Sequence, residues 1–133
     1  MLGKQVIEEA KGGFTKSFNV ELAPFLTDLG TRIFDRVKKY AHSPTKWRVE
    51  HNERPCFTFC EFETTDLSDY EVKGDLIIDW LGREGSIRVI GNMTGGVRGP
   101  TDFSGKVLFT SPLDDLVALL IGMLRDANLH QEK

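Results

Sequence analysis

The clearest pattern in the chain is a strict alternation of apolar and polar residues over positions 70–80. The apolar or small residues on one face are Tyr70, Val72, Gly74, Leu76, Ile78 and Trp80. The positions between them are charged, apart from Ile77. A period of two predicts a β-strand with one face on a core and the other in water, as an antiparallel sheet allows. Similar patterns predict strands over residues 47–51, 56–63, 86–90 and 106–110.

Two segments with helical periodicity flank these strands. The first should begin between Val20 and Ala23, because Pro24 is tolerated only in a first turn. Its apolar positions recur every three or four residues, at Leu22, Leu26, Leu29, Ile33, Val37 and Tyr40. The second has Ser111 as its cap and is apolar almost all round as far as Leu124. Such a helix should be buried on more than one side, or contact a partner.

These patterns predict one α+β domain over residues 1–133. Its mostly antiparallel sheet of about five strands should pack against an N-terminal-half amphipathic helix and a C-terminal helix. Residues 1–18 are expected to form an arm or a short helix and strand, and residues 129–133 a disordered tail. Residues 91–105 carry five glycines and a proline, which predicts a long loop. Arg98 and the amides of this loop could hold an anion, although no P-loop pattern is present.

Composition narrows the range of partners. The 133 residues include 17 basic and 20 acidic side chains, so no overall positive field favours nucleic acid. The one basic cluster, at Arg36, Lys38 and Lys39, complements the negative end of a helix dipole. No stretch approaches the ~20 apolar residues that span a bilayer, and the N-terminus is too polar for a signal peptide. We therefore expect a cytoplasmic protein that binds neither membranes nor nucleic acid.

The residue types that most often carry chemistry form no recognisable site. Cys56 and Cys60 lie four positions apart on one predicted strand, about 13 Å, which is too far for a disulfide. No cysteine or histidine pair at zinc-site spacing completes a metal site. The residues His42, His51 and His130 match no catalytic motif. The sequence therefore predicts no catalytic residue, no metal and no cofactor.

Acidic residues alternate along two of the predicted strands. Glu61 and Glu63 share a face of one strand, and three more acids share a face of another. Alternating charge is typical of the wet side of a sheet. If these strands pair, the acids form a negative patch that suits a basic protein partner. The candidate partner-binding residues are Glu61, Glu63, Glu71, Asp75, Asp79 and Arg98.

The order of a helix, antiparallel strands with a central hairpin, and a closing helix resembles the small α+β immunity proteins that bacteria carry beside toxins. The resemblance covers about residues 19–128. It rests on the strand 70–80, the turn 82–85, the return strand and the helix that opens at Ser111-Pro112-Leu113. It implies a non-enzymatic protein that covers a protein partner, for example a basic toxin domain.

Two other functions stay open at this point. A cup-shaped sheet, lined by Trp47, Tyr70 and Trp80, could bind a small ligand or perform simple acid–base chemistry. Alternatively, the apolar C-terminal helix could be buried in a homodimer, as in a structural or assembly subunit.

Overall fold

Two helices and five strands make up the computed structural model, which describes residues 23–52, 57–80, 86–108 and 113–130. The helices are α1 (Ala23–Lys38) and α2 (Leu113–Asp126). The strands are β1 (Lys46–Asn52), β2 (Phe57–Thr65), β3 (Glu71–Asp79), β4 (Ser86–Gly95) and β5 (Thr101–Leu108). The α+β fold predicted from the sequence is confirmed. The arm at 1–18 and the turn at 82–85 lie outside the described residues.

The strands form one antiparallel meander in the order β1-β2-β3-β4-β5. Alternate residues point to one face, and this face carries the buried strand residues, such as Cys60, Leu76 and Val89. These side chains belong to the same hydrophobic cluster as Ile33 of α1 and Leu120 of α2. Both helices therefore cover one face of the sheet. No described helix covers the other face, which we call the open face.

Helix α1 packs on β1 and β2. The buried positions Leu29, Ile33 and Val37 follow the spacing predicted from the sequence, and Phe34 joins them. Gly30 lies on the same side of the helix. A Cβ atom at position 30 would lie 2.5 Å from Cγ2 of Thr58 on β2. The helix and the strand thus approach more closely than any side chain at this position would allow.

The long loop predicted over residues 91–105 is not present. Instead β4 continues to Gly95, β5 begins at Thr101, and a turn at 96–100 joins them. Gly91 and Gly105 lie within these strands on the core face. A Cβ at Gly91 would lie 3.1 Å from Sδ of Met123, and one at Gly105 would lie 2.9 Å from Leu119. These two glycines leave room for α2 against the sheet. The loop that they suggested in the sequence was therefore a wrong prediction.

A single aspartate joins three parts of the fold. The buried Asp66 follows β2, and its carboxylate accepts hydrogen bonds from the backbone N–H groups of Ser68 at 2.9 Å and Tyr70 at 3.0 Å. It also accepts the N–H of Val97, in the β4–β5 turn, at 2.8 Å. A further hydrogen bond joins the carboxylate to the side chain of Asn128, just after α2. These bonds hold the pKa of Asp66 below its ordinary value, the Val97 N–H most strongly, although burial opposes them.

The same turn places Tyr70 outside the core. The alternating pattern put this residue on the core face of β3, but the strand begins at Glu71 and Tyr70 is 60% exposed. The N–H and C=O groups of Tyr70 are both hydrogen-bonded to Asp66, so its backbone belongs to the turn and not to β3. The pattern was correct from Val72 onwards, where every second residue is buried except Gly74, which is half-buried.

One buried polar network crosses the core. The hydroxyl of Thr58 accepts a hydrogen bond from Trp80 Nε1 at 2.8 Å. Nδ1 of His51 lies 2.8 Å from the same hydroxyl. Thr58 and Trp80 are both 1% exposed, so these bonds replace water for the buried groups. Trp80 is therefore a core residue with its indole N–H satisfied.

The chain after α2 packs against the start of the sheet. Leu129 is fully buried, and its C=O accepts the N–H of His42 at 2.8 Å. His130 pairs with Ala41 and stacks on Tyr40 with ring centroids 5.8 Å apart. The disordered tail expected over 129–133 therefore does not include its first two residues, and residues 131–133 lie outside the described chain.

The two helical glycines predict opposite responses to alanine. Gly30→Ala should lower the free energy of unfolding by about 1–3 kcal/mol, because the new methyl group meets Thr58. Gly122→Ala should raise it by about 0.5–1 kcal/mol, because the Cβ meets nothing within 4 Å and alanine favours a helix. Urea unfolding of both variants at one protein concentration measures the pair. Equal effects would contradict the close approach of α1 to β2.

Candidate functional site

The open face brings the predicted acidic residues together in rows across the strands. The register places Glu61 of β2 opposite Asp75 of β3, and Asp75 opposite Asn92 of β4. Asn92 lies opposite Asp102 of β5, which continues the row to the sheet edge. Asp102 was not among the predicted site residues, because it fell within the expected loop. Its membership of the row depends on strand pairing.

Basic residues, none of which the sequence analysis selected, neutralise part of this acidity. Glu61 binds Nζ of Lys46 at 3.1 Å and the guanidinium of Arg48 at 2.8 Å. Three further ion pairs join neighbouring strands: Lys46 with Glu63 at 3.9 Å, Lys73 with Glu63 at 3.4 Å, and Arg88 with Asp79 at 3.3 Å. The signal that could have found these cations was present, since on β1, β3 and β4 they alternate with core-facing residues as the acids do on β2 and β3.

Asp75 is an acid of this face whose charge is poorly compensated. It is half-buried and forms no ion pair among the described residues, whereas Glu61 opposite it has two cations. Burial, and then the negative charge of Glu61, raise the pKa of Asp75 above its ordinary value. The hydrogen bonds from Lys46 and Arg48 lower the pKa of Glu61. A carboxylate held ionised in this way, as Glu61 is, is a weak general base.

A row of apolar side chains runs beside the acidic row. Phe59, Ile77 and Ile90 lie directly opposite one another on β2, β3 and β4. All three are half-buried although no described helix covers them. Phe57 packs on Phe59, with ring centroids 5.7 Å apart. We call these four residues the apolar row. Contiguous apolar surface inside a charged rim is typical of protein-binding sites.

The open face is recessed in two places. One concavity of about 480 Å³ is lined by both acidic and basic residues, including Glu61, Glu63 and Asp75. A second, of about 430 Å³, lies towards β5 and includes Ile90. Asn92 and Asp102 line both. Both recesses are shallow depressions on a sheet surface, a shape that fits protruding side chains of a partner.

Three of the predicted site residues, Glu71, Asp79 and Arg98, do not line these recesses. Glu71 is exposed at the start of β3, opposite Thr65. Arg98 is exposed in the β4–β5 turn. Of the loop amides that the sequence suggested for an anion, the Val97 N–H binds the protein's own Asp66 carboxylate. The Gly96 N–H is also used internally, by the C=O of Glu71 at 2.9 Å.

The remaining reactive groups are placed for structure. Cys60 is fully buried, and burial raises the pKa of its thiol, as the charge of Asp75 does to a smaller extent. A thiol in such surroundings is inert as a nucleophile. Trp80 lies in the core and Tyr70 on the surface, so these two aromatic side chains do not line one cup. Cys56 lies outside the described residues.

In the described part of the chain, no group of three or more histidine, cysteine, aspartate or glutamate side chains could hold a metal ion. No helix there is long and apolar enough to cross a bilayer.

Comparison with known proteins identifies no relative of this chain. No family model matches the chain, and neither a curated protein nor a solved structure matches it.

The poorly compensated carboxylate of Asp75 predicts a stabilising substitution. Asp75→Asn should raise Tm at neutral pH by about 2 °C, because it removes a half-buried charge that faces Glu61. An acid with a raised folded pKa loses stability as pH rises through that pKa. The gain should therefore be largest at neutral pH and vanish below the ordinary value of 3.8. Tm against pH measures it, with Glu71→Gln as an exposed control on the same strand that should change Tm little.

Proposed function

We propose that this protein is a non-enzymatic protein-binding domain whose open face covers a protein partner. The observation that carries the proposal is the apolar row of Phe57, Phe59, Ile77 and Ile90, which lies half-buried beside acidic residues with no described helix over it. Packing alone does not require apolar residues at the centre of a wet sheet face. Burial of the apolar row against a partner explains why these residues lie on this face.

The charges of the open face define the partner's chemistry. Acidic residues outnumber basic ones on this face, and Asp75 has no ion pair within the described chain. A complementary surface would place apolar side chains over the apolar row and a lysine or arginine near Asp75. The basic group raises the association rate and rejects acidic competitors, and the apolar contact supplies most of the affinity.

This chemistry agrees with the immunity-type inhibitors that the sequence resembles. Such a protein acts in the cytoplasm by covering a basic toxin domain, so it needs a complementary surface and no cofactor. In the proposed complex the stability that Asp75 costs the free protein is recovered when the partner's cation binds it. Loss of stability in exchange for binding is common at functional sites.

Two substitutions on the open face test the proposal. Ile77→Lys should weaken binding at least tenfold, about 1.4 kcal/mol or more, because it places a charge at the centre of the apolar row. Asp75→Lys should weaken binding to a similar extent and abolish its salt dependence at that contact. The control is Asp35→Lys, the same charge change on an exposed part of α1. Affinity for the product of the adjacent gene, co-expressed with this protein, is the measurement.

The pattern of binding across the variants decides whether the open face is the binding surface. Retention of that product by the unmodified protein and by the Asp35→Lys variant, with loss in both open-face variants, supports the proposal. If the adjacent gene product is not retained, or if Ile77→Lys binds it unchanged, the open face is not the binding surface. Circular dichroism of each variant shows whether a loss of binding reflects a loss of folding.

A further inference from the structure

The edge strand β5 carries two charges that the described chain does not satisfy. β5 pairs with β4 on one side, and no described strand pairs with its other side. Asp102 and Lys106 are both exposed on this strand, and neither forms a salt bridge with a described residue. An unpaired strand edge presents a row of backbone donors and acceptors that another strand can use.

The sequence of β5 is complementary to itself when read in the opposite direction. If two copies pair antiparallel with Ser104 at the centre, Asp102 of each copy lies opposite Lys106 of the other. In the same register, Phe103 lies opposite Gly105 on the core face. Opposite charges and an aromatic residue beside a glycine are both favourable cross-strand pairs. This register also pairs seven consecutive positions, from Thr101 to Val107.

We propose that β5 is the interface of a symmetric dimer, in which a second copy of this chain continues the sheet across a two-fold axis at Ser104. The axis is perpendicular to the sheet, so the helices of both copies lie on the same side. The open faces also lie on the same side and remain free. The dimer is thus independent of the partner complex proposed above, and either can fail without the other.

Helix α2 fits this arrangement. It packs over both β4 and β5, since Met123 meets Gly91 and Leu119 meets Gly105. With strands about 4.8 Å apart, a helix between β4 and β5 lies about 10 Å from its symmetry mate, which is an ordinary helix–helix distance. The side of α2 at this edge carries the small residues Ala118 and Gly122, and the space beside Gly122 is open.

Two grooves along this edge give room for the partner's side chains. One, of about 430 Å³, lies between Leu108 and the N-terminal half of α2. The other, of about 370 Å³, lies between Phe103 and the C-terminal half. The two-fold axis places the groove at Leu108 of one copy opposite the groove at Phe103 of the other. Leu108, which is 60% exposed in a single copy, lies next to the partner's turn in the dimer.

The other edge of the sheet is less suited to this role. On β1, Arg48 is already bound to Glu61 at 2.8 Å and to Glu50 at 3.4 Å. Lys46 is bound to Glu61 at 3.1 Å. A second copy at β1 would have to share or displace these ion pairs. At β5 it supplies ion-pair partners for charges that have none within the described chain.

A charge exchange tests the register. Asp102→Lys and Lys106→Asp should each weaken the dimer about tenfold to a hundredfold, because every single change creates two like-charge pairs across the axis. The double variant, Asp102→Lys with Lys106→Asp, should restore the dimer, since it exchanges the partners of both pairs. Lys39→Asp, at the exposed end of α1, is the control and should leave the dimer intact. Sedimentation velocity over a concentration series measures the dissociation constants.

A disulfide tests the position of the axis directly. Directly opposite residues in an antiparallel pair have Cα atoms about 4.5–5.5 Å apart, which a disulfide can bridge. Ser104→Cys should therefore form a covalent dimer under mild oxidation. Lys106→Cys is the matched control and should not, because the two copies of this position lie four residues apart along the strands, about 13 Å. The reverse result would overturn the register.

Each remaining outcome decides the proposal. A monomer at every concentration overturns it. A monomer whose outer β5 amides are protected from hydrogen exchange would overturn it too, and would show that this edge is covered within a single copy. A dimer that ignores the charge changes and forms no bond in the Ser104→Cys variant overturns the β5 interface. Dimerisation of the unmodified protein, its loss in both single variants and its return in the double variant support it.

Discussion

Phe62→Ala is expected to lower the free energy of unfolding by about 3–5 kcal/mol, a large part of the ~5–15 kcal/mol that holds a typical domain together. Phe62 is 1% exposed on the core face of β2, where its ring lies 5.7 Å from that of Trp47 and close over Gly74. Removal of the ring leaves a cavity, because the strand and α1 are too tightly packed to collapse into it.

The matched control lies three residues earlier on the same strand. Phe59→Ala removes the same side chain from the open face, where it is only half-buried, and should cost about 1 kcal/mol. Urea unfolding of both variants at one fixed protein concentration gives the two values. A one-residue shift of β2 would exchange them, so equal or inverted costs would falsify the assignment of the two faces.

The second large effect is expected at Asp66. Asp66→Asn should lower Tm by about 5–10 °C, because the amide oxygen can replace only one of the two carboxylate oxygens. Oδ1 accepts the N–H groups of Ser68 and Tyr70, and Oδ2 accepts that of Val97, so the amide nitrogen must face donors that it cannot accept at one of these two places. The matched control is Asp69→Asn in the same turn. Asp69 has φ +66°, a conformation that asparagine tolerates well, so its Tm should be nearly unchanged.

The pH dependence gives Asp66 a second signature. Its folded pKa is depressed, so its contribution to stability is present above the ordinary value of 3.8 and is lost as pH falls further, through the folded pKa. The unmodified protein should therefore lose stability steeply below about pH 4, and the Asp66→Asn variant less steeply. Thermal unfolding from neutral to acidic pH measures both. Parallel curves for the two proteins would contradict the role of this carboxylate.

Local patterns were enough to predict most of the elements. The alternation from Val72 to Trp80 gave both the strand and its buried face, since one face of β3 meets the core and the other meets water. Helix α2 was equally clear, although only part of its apolar surface is buried. Leu116, Leu120 and Leu124 lie in the core, whereas Leu119 and Ile121 are half-buried. In each case the periodicity of the residues and the burial in the fold express the same requirement.

The two errors have different causes. Gly91 and Gly105 suggested a loop, but they are small because Met123 and Leu119 of α2 lie above them. Met123 is far from Gly91 in the sequence, so no local pattern contains that information. Tyr70 fitted the alternation, but Asp66, four residues earlier, bonds its backbone in a turn and delays the start of β3.

The candidate site was predictable as a face but not as an arrangement. Alternation placed Glu61 and Asp75 on the wet side of their strands, as the structure confirms. Their direct opposition, and the uneven distribution of cations between them, depend on register. A shift of two residues would keep both on the same face and give each different neighbours.

The charges along β1 bear on how far an assembly of this protein can grow. A two-fold axis at β5 uses one edge of each sheet and leaves β1 at both ends. There Lys46, Arg48 and Glu50 present a charge at every second position, all held in ion pairs with their own chain. Addition of another strand would have to share or displace these ion pairs, which discourages edge-to-edge stacking. The protein should therefore stay finite in size at high concentration and resist conversion into fibrils.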